Sequence, residues 1–167
     1  MFDITINFDD ITITSIEKKD IIAIEEWINS QNANYSNRTL KVKEINERFL
    51  EYYVSEGEFF LKIKKSRNLI GILKGRIEFK SSIEVWIWCF VIDSDLRSQN
   101  IGSRILSEIE RYFNKIYGIS TLFTIISNDN PRELKFWERN KFKLQRVSKD
   151  FFNVDDNYID MLILKKI

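Results

Sequence analysis

Phe90-Val91-Ile92-Asp93-Ser94-Asp95-Leu96-Arg97-Ser98-Gln99-Asn100-Ile101-Gly102-Ser103-Arg104 leaves a β-prone run, crosses a short polar loop and enters a helical pattern. Upstream, Ile83–Ile92 is apolar except for Glu84, which predicts a central strand buried on both faces. Downstream, Ile101, Ile105, Leu106, Ile109 and Phe113 recur at helical spacing as far as about Lys115. A strand–loop–helix junction directs several backbone N–H groups at one point, and the helix dipole adds partial positive charge there. A phosphate-like anion suits such a nest. Asn100 tolerates the left-handed conformation of a tight loop, and Gly102 leaves room for an anion to reach the backbone. Arg97 and Arg104 are placed to add charge-assisted contacts. An ordinary capped helix has many of the same features, so the segments around this one must decide.

Working outward, Ile4, Ile6, Ile11 and Ile13 form one β-branched segment, a first strand. A helix follows from about Ser15 to Ser30, an Asn/Ser-rich loop over Asn29–Asn37, and a second helix from about Thr39 to Ser55, closed by Gly57. Glu58–Lys64 and Leu69–Phe79 read as a hairpin around the polar turn Lys65–Asn68. After the helix that begins at Ile101, Thr121–Ile126 is another strand. Pro131 opens a short helix to Asn140. Phe142–Val147 and Tyr158–Leu164 are the last strands, with an acidic loop, Asp150–Asn157, between them. The order β-α-α-β-β-β-α-β-α-β-β specifies an α+β fold with a mixed, mostly antiparallel sheet of about seven strands and about four helices. With no linker or repeat, one domain over residues 1–167 is the simplest reading.

Composition removes whole chemistries. The chain has no histidine, so no His-based triad or His-ligated zinc can exist, and its single cysteine, Cys89, rules out an internal disulfide. A metal is not expected. The near-neutral balance, 26 basic against 25 acidic residues, argues against a dedicated nucleic-acid binder. No signal-peptide pattern or membrane-length apolar run is present, so a cytoplasmic protein without a membrane partner is expected. Catalysis here must use carboxylates, hydroxyls, backbone amides and water.

The loop resembles the acyl-CoA signature of the GNAT family of N-acetyltransferases, R/Q-x-x-G-x-G/A, here Arg97-x-x-Asn100-x-Gly102 with Asn in place of the first glycine. Downstream, Asn130 to Phe142 is similar to the family's N-x-x-A-x-x-F-Y-x-x-x-G-F. Asn130, Phe136 and Phe142 match; Glu133 replaces the alanine, Trp137 the tyrosine and Lys141 the glycine. The element order agrees over essentially the whole chain. The resemblance implies a GNAT-like fold and acetyl-CoA as acyl donor. Its pyrophosphate would sit on the amides of Ser98, Gln99, Asn100, Ile101, Gly102 and Ser103, near Arg97. Its pantetheine arm would pair like an added strand with Phe90, Val91 and Ile92, where the sheet splays open. A backbone N–H from Val91 or Ile92 would polarise the thioester carbonyl, and Asn130 would contact the arm.

Direct attack by a primary amine requires that the amine, with a pKa near ~10, first lose a proton. Without histidine a carboxylate is the natural helper. Glu84 is the candidate base, as the only charged residue in its strand, with Glu78 second. An edge carboxylate in solvent is the plainer reading of Glu84. The leaving thiolate takes its proton from the family tyrosine, but Trp137 stands at that position and an indole is not a useful acid. Tyr158, Tyr117 or water could replace it, or the thiolate could leave unaided. Cys89 reads as a buried structural thiol. Trp86 and Trp88 share a strand face, as core or as an aromatic pocket wall.

Family acceptors bind between the N-terminal helices and the loop before the last strand, here Asn29–Lys41 and Lys149–Asn157. Asp150, Asp155 and Asp156 favour a cationic acceptor, with Tyr35, Phe151 and Phe152 as apolar walls, although a solvated acidic loop has the same composition. A polyamine, an amino sugar, an aminoglycoside, a protein N-terminus or a lysine would all fit, in a monomer or a homodimer. Two other readings stand beside the enzyme: a degenerate module that binds CoA or a protein partner without turnover, and an unrelated α+β interaction domain.

Overall fold

The computed structural model describes residues 2–31, 45–97, 99–154 and 156–167. Two short strands, β1 (Thr5–Phe8) and β2 (Ile11–Ser15), precede α1 (Ile21–Gln31) and α2 (Ile45–Val54). Next come β3 (Glu58–Lys65), β4 (Asn68–Phe79), β5 (Ile83–Ile92), α3 (Ile101–Tyr117), β6 (Thr121–Ser127), α4 (Pro131–Arg139), β7 (Phe142–Val154) and β8 (Asn157–Lys166). The strands form one sheet in the order β1-β2-β3-β4-β5-β6-β8-β7. Every neighbouring pair is antiparallel except β5 and β6, joined through α3.

The sheet separates two apolar clusters. One holds α3 and α4, with Ile101, Ile105, Ile109, Phe113 and Trp137 packed on Val85, Ile87 and Leu122. The other holds α1 and α2, with Ile24, Ile28, Phe49 and Tyr52 on Phe60 and Ile72. Asp20, just ahead of α1, is ion-paired to Lys62 of β3 and fastens that helix to the sheet.

The structure corrects several expectations. The single N-terminal strand is two, because Asp9 takes a left-handed φ of 48° and turns the chain. The sheet therefore has eight strands rather than about seven. The first helix starts at Ile21, not Ser15, because Ser15 belongs to β2; its hydroxyl accepts from the Ile4 N–H and donates to the Phe2 carbonyl. The start expected for the second helix, Thr39, and most of the Asn29–Asn37 loop lie outside the described residues, while residues 29–31 complete α1. The acidic loop before the last strand is largely strand: β7 runs on to Val154 by pairing Phe152 with Ile159, past an irregularity at Asp150, whose φ is 52°.

β5 is not buried on both faces throughout. Val85, Ile87 and Cys89 are buried, but Glu84, Trp86, Trp88 and Phe90 are only half-buried. Cys89 pairs with Lys74 of β4 and Ile87 with Gly75, so Trp88 is an extra residue, a β-bulge. The bulge reverses the alternation. Before it Val85 and Ile87 join the α3 cluster; after it Phe90 and Ile92 face that side, and Val91 turns to α1 and α2.

Gly75 makes the bulge possible. A Cβ there would lie 2.2 Å from the Trp86 carbonyl oxygen and 2.5 Å from the Phe59 ring, a clash with backbone that no side-chain rotation relieves. Gly75→Ala should therefore destabilise the protein by about 1–3 kcal/mol. The expected drop in Tm is roughly 2–12 °C for a chain of this size, read by thermal unfolding.

Candidate active site

β5 and β6 pair only from Glu84 to Ile87, opposite Thr121 to Thr124. Beyond that point β6 stays with β8, pairing Ile125, Ile126 and Ser127 with Ile163, Leu162 and Met161, while β5 follows β4. The two parallel strands thus fork. The buried Thr124 hydroxyl marks the fork by donating to the Ile87 carbonyl at 3.1 Å. Past it, the Trp88–Val91 edge of β5 faces a gap where an extended chain with amide groups can lie as a strand.

At the end of β5 the chain makes a 3-10 turn, Ser94–Leu96, closed by the Asp93 carboxylate accepting the Asp95 N–H at 3.0 Å. Gln31, buried at the end of α1, accepts the Ser94 N–H at 3.1 Å and ties the loop to that helix. Gln99 Nε2 donates to the Asp95 carbonyl at 3.2 Å. Asn100 then takes φ 60° and ψ 10°, the left-handed conformation expected of it, and its side chain does not cap α3. The first turn of α3 holds no acidic residue. The first amides of a 17-residue helix therefore lack a side-chain acceptor from their cap, a geometry that accepts an anion.

Gly102 has a second reason to be glycine. Its missing Cβ would lie 3.2 Å from the Phe136 ring of α4 and 4.0 Å from Ile92. Phe136 in turn lies 5.8 Å from the Phe90 ring, and Trp137 lies 6.2 Å from it. The end of β5, the start of α3 and the face of α4 thus converge on one aromatic wedge beside the gap.

The sequence-expected site residues divide accordingly. Phe90, Val91, Ile92, Gln99, Asn100, Ile101, Gly102, Ser103, Asn130 and Trp137 are brought to this end of the sheet. Ser98 lies outside the described residues. Arg97 is half-buried at the end of the 3-10 turn. Arg104 is ion-paired to Asp9 and lies over the Phe8 ring, so its side chain serves the β1–β2 hairpin rather than the loop. Glu84 stands at the opposite end of β5. Phe90 lies six positions further along the strand, about 20 Å away. It accepts from Trp86 Nε1 at 3.3 Å and faces Glu78 across the β4–β5 ladder. Glu78 is itself ion-paired to Lys80.

Of the substitute proton donors, Tyr117 is at the far end of α3, packed edge-on against Phe2. Tyr158 is 64% exposed on the β7–β8 hairpin. Burial pushes the Cys89 thiol up to about 12, so it stays a neutral thiol near pH 7. Trp86 does not fill the core; it stacks on Phe123 with centroids 4.5 Å apart. Phe151 is exposed beside Phe152; Tyr35 and Asp155 lie outside the described residues.

Three polar residues at the site escaped the sequence reading. Lys74, only 3% exposed, binds Glu51 of α2 and Glu58 of β3, each at 3.2 Å, and lies under the Trp88 ring. The lone lysine in the apolar run Leu73-Lys74-Gly75 was its signal. Gln31 was hidden in a polar stretch that reads as loop. Glu133 was visible only as a departure from the alanine of the motif. It is the third residue of α4; its N–H donates to Asn130 Oδ1 at 3.2 Å, and its carboxylate accepts from Asn130 Nδ2 at 3.1 Å. Burial raises its pKa, against the opposing pull of the Trp137 indole and the Asn130 amide. The Trp137 Nε1 makes no hydrogen bond of normal geometry.

Comparisons with known proteins agree with this geometry. A family model described as an acetyltransferase (GNAT) domain matches residues 13–163. The acetyltransferase PseH of Campylobacter jejuni subsp. jejuni serotype O:23/36 (strain 81-176) is 24% identical over 144 residues, covering 84% of this chain and 88% of that protein. Among solved structures, RimL, a ribosomal L7/L12 α-N-protein acetyltransferase in complex with coenzyme A, superposes with a TM-score of 0.79. It is 15% identical, over 98% of this chain and 97% of that one. A spermidine N-acetyltransferase SpeG chimera from Vibrio cholerae and hSSAT gives 0.75 at 15% identity, over 95% and 96%. With the matched domain covering most of its length, the chain belongs to the GNAT family and is an N-acetyltransferase.

Proposed function

We propose that the protein transfers an acetyl group from acetyl-CoA to a primary amine by direct attack, with both substrates bound at once. The observation that carries this reading is the fork: β5 leaves β6 at Ile87 and runs directly into the uncapped start of α3. The amides of Ser98, Gln99, Asn100, Ile101, Gly102 and Ser103 hold the pyrophosphate, with Arg97 beside them. The arm lies along Phe90, Val91 and Ile92, where a backbone N–H from Val91 or Ile92 stabilises the developing oxyanion. Asn130 borders the arm, and Trp137 forms its apolar wall rather than an acid. No metal enters this chemistry.

The acceptor class is a small-molecule amine or a protein N-terminus or lysine. The solved relatives that support it are described as acting on the N-terminal serine of ribosomal protein L7/L12 or on spermidine. Glu84 takes up the amine proton through intervening water, because its carboxylate lies too far along β5 for direct contact.

Acetyl-CoA at ~100 times its Kd should stabilise the protein by ~2.7 kcal/mol, a Tm rise of roughly 5–10 °C at this size. Adenosine alone should not produce it. Ser103→Glu places a carboxylate in the nest while favouring the α3 dipole. It should leave the unliganded Tm within about 2 °C and weaken acetyl-CoA binding at least tenfold; unchanged binding would remove the anion from this loop. Glu84→Gln should lower kcat/KM for the amine about tenfold near neutral pH, with the loss shrinking at high pH where the amine is already free base. An equal loss at all pH values would contradict its role as base.

A further inference from the structure

Glu133, half-buried in the first turn of α4, is a carboxyl that this reading leaves unused. It lies four residues before Trp137, so the two side chains share a face of α4. That face meets the free end of β5: Trp137, 2% exposed, packs on Phe90, and Glu133 lies within electrostatic reach of the Cys89 thiol. Its carboxylate is held by Asn130 Nδ2 from one side, with Asn130 itself fixed as the cap of α4. A carboxyl so placed lies on the same face of α4 as Trp137, near the free end of β5. The alternatives at this place are poor acids. The indole does not titrate usefully, the thiol is pushed up to about 12, and Tyr117 is at the other end of α3.

Resting on the acetyl-transfer reading above, we propose that Glu133 is the general acid of the reaction, replacing the tyrosine that Trp137 displaces. The amine nitrogen forms its bond to the thioester carbonyl carbon. As the carbon–sulfur bond breaks, its electron pair passes to sulfur and the Glu133 carboxyl delivers its proton there. The products are the amide, the free thiol and a Glu133 carboxylate. Glu84 passes the proton it takes from the amine to water, and the Glu133 carboxylate regains a proton from water, so the cycle closes without another reactant. Burial favours the protonated form that the step requires.

The test compares wild type, Glu133→Gln and Glu133→Asp for acetyl-CoA affinity by calorimetry and for thiol release across pH. Spermidine and a serine-initiated peptide serve as acceptors, and water where neither turns over. Glu133→Gln should keep acetyl-CoA affinity within about threefold and lose about 10–100-fold in kcat. It should also lose the alkaline fall in kcat that wild type shows as Glu133 deprotonates. Glu133→Asp should recover part of the rate. Wild-type kcat and pH profile in Glu133→Gln would overturn the proposal, as would an effect confined to acetyl-CoA affinity. Absence of acetyl-CoA binding to wild type would instead overturn the acetyl-transfer reading beneath it.

A separate readout reports on the acid itself. A carboxyl whose folded pKa is raised contributes stability at low pH that is lost as pH rises through that folded value. Glu133→Gln should therefore raise Tm near pH 7, with the gain vanishing below the ordinary glutamate pKa. A gain that does not change with pH would mean that the Glu133 pKa is not raised in the folded protein.

Discussion

The fork between β5 and β6 is the constraint on which the rest of the molecule depends. Parallel neighbours normally stay paired, because a buried backbone N–H or C=O without a partner costs about as much as a lost hydrogen bond. Here pairing stops after four residues. The bulge at Trp88 bends β5 away, Gly75 makes room for the bulge, and Thr124 secures the last pair. A sheet interior is thereby given an edge, which becomes useful once an extended, amide-bearing ligand can occupy it. The bulge also reverses which side chains face α3 and α4, bringing Phe90 and Ile92 onto the aromatic wedge that seats the helices.

The second determinant is α4. Its outer face is polar, while Trp137 enters the core against Phe142 and Phe90. A buried tryptophan here gives more apolar contact than the family tyrosine but no titratable hydroxyl. One turn earlier a carboxyl stands where the family motif has alanine. A large apolar residue and a nearby acid together replace what one tyrosine does in the motif. The Asn130 cap links them, because the same amide that starts the helix also orients the carboxyl.

Much of this was legible in the sequence for physical reasons. The apolar run Ile83–Ile92 and the helical period from Ile101 placed β5 and α3 to within a residue or two, and Pro131 marked the start of α4. Asn100 in a tight loop predicted a left-handed residue, and φ is 60°. Other features depend on partners distant in the chain. Glu84 is visible as the lone charge in its strand, but its distance along β5 from Phe90, which requires water to link it to the amine, shows only once the strand has its full length. Arg104 looked available to the loop, but Asp9, on a turn that the alternation of Ile4–Ile13 did not reveal, takes it. Lys74 and Glu133 are recognisable only when the sheet and α4 are in place, since burial and not residue type gives them their chemistry.

Amide hydrogen exchange, with and without saturating acetyl-CoA, tests the central claim most directly. If the fork is the acyl-donor site, exchange should slow at least tenfold in two separate segments, Phe90–Ile92 and Gln99–Ser103. It should change little in Glu84–Ile87, where the ladder to β6 is already made. Protection confined to other parts of the chain, or to neither segment, would contradict the account.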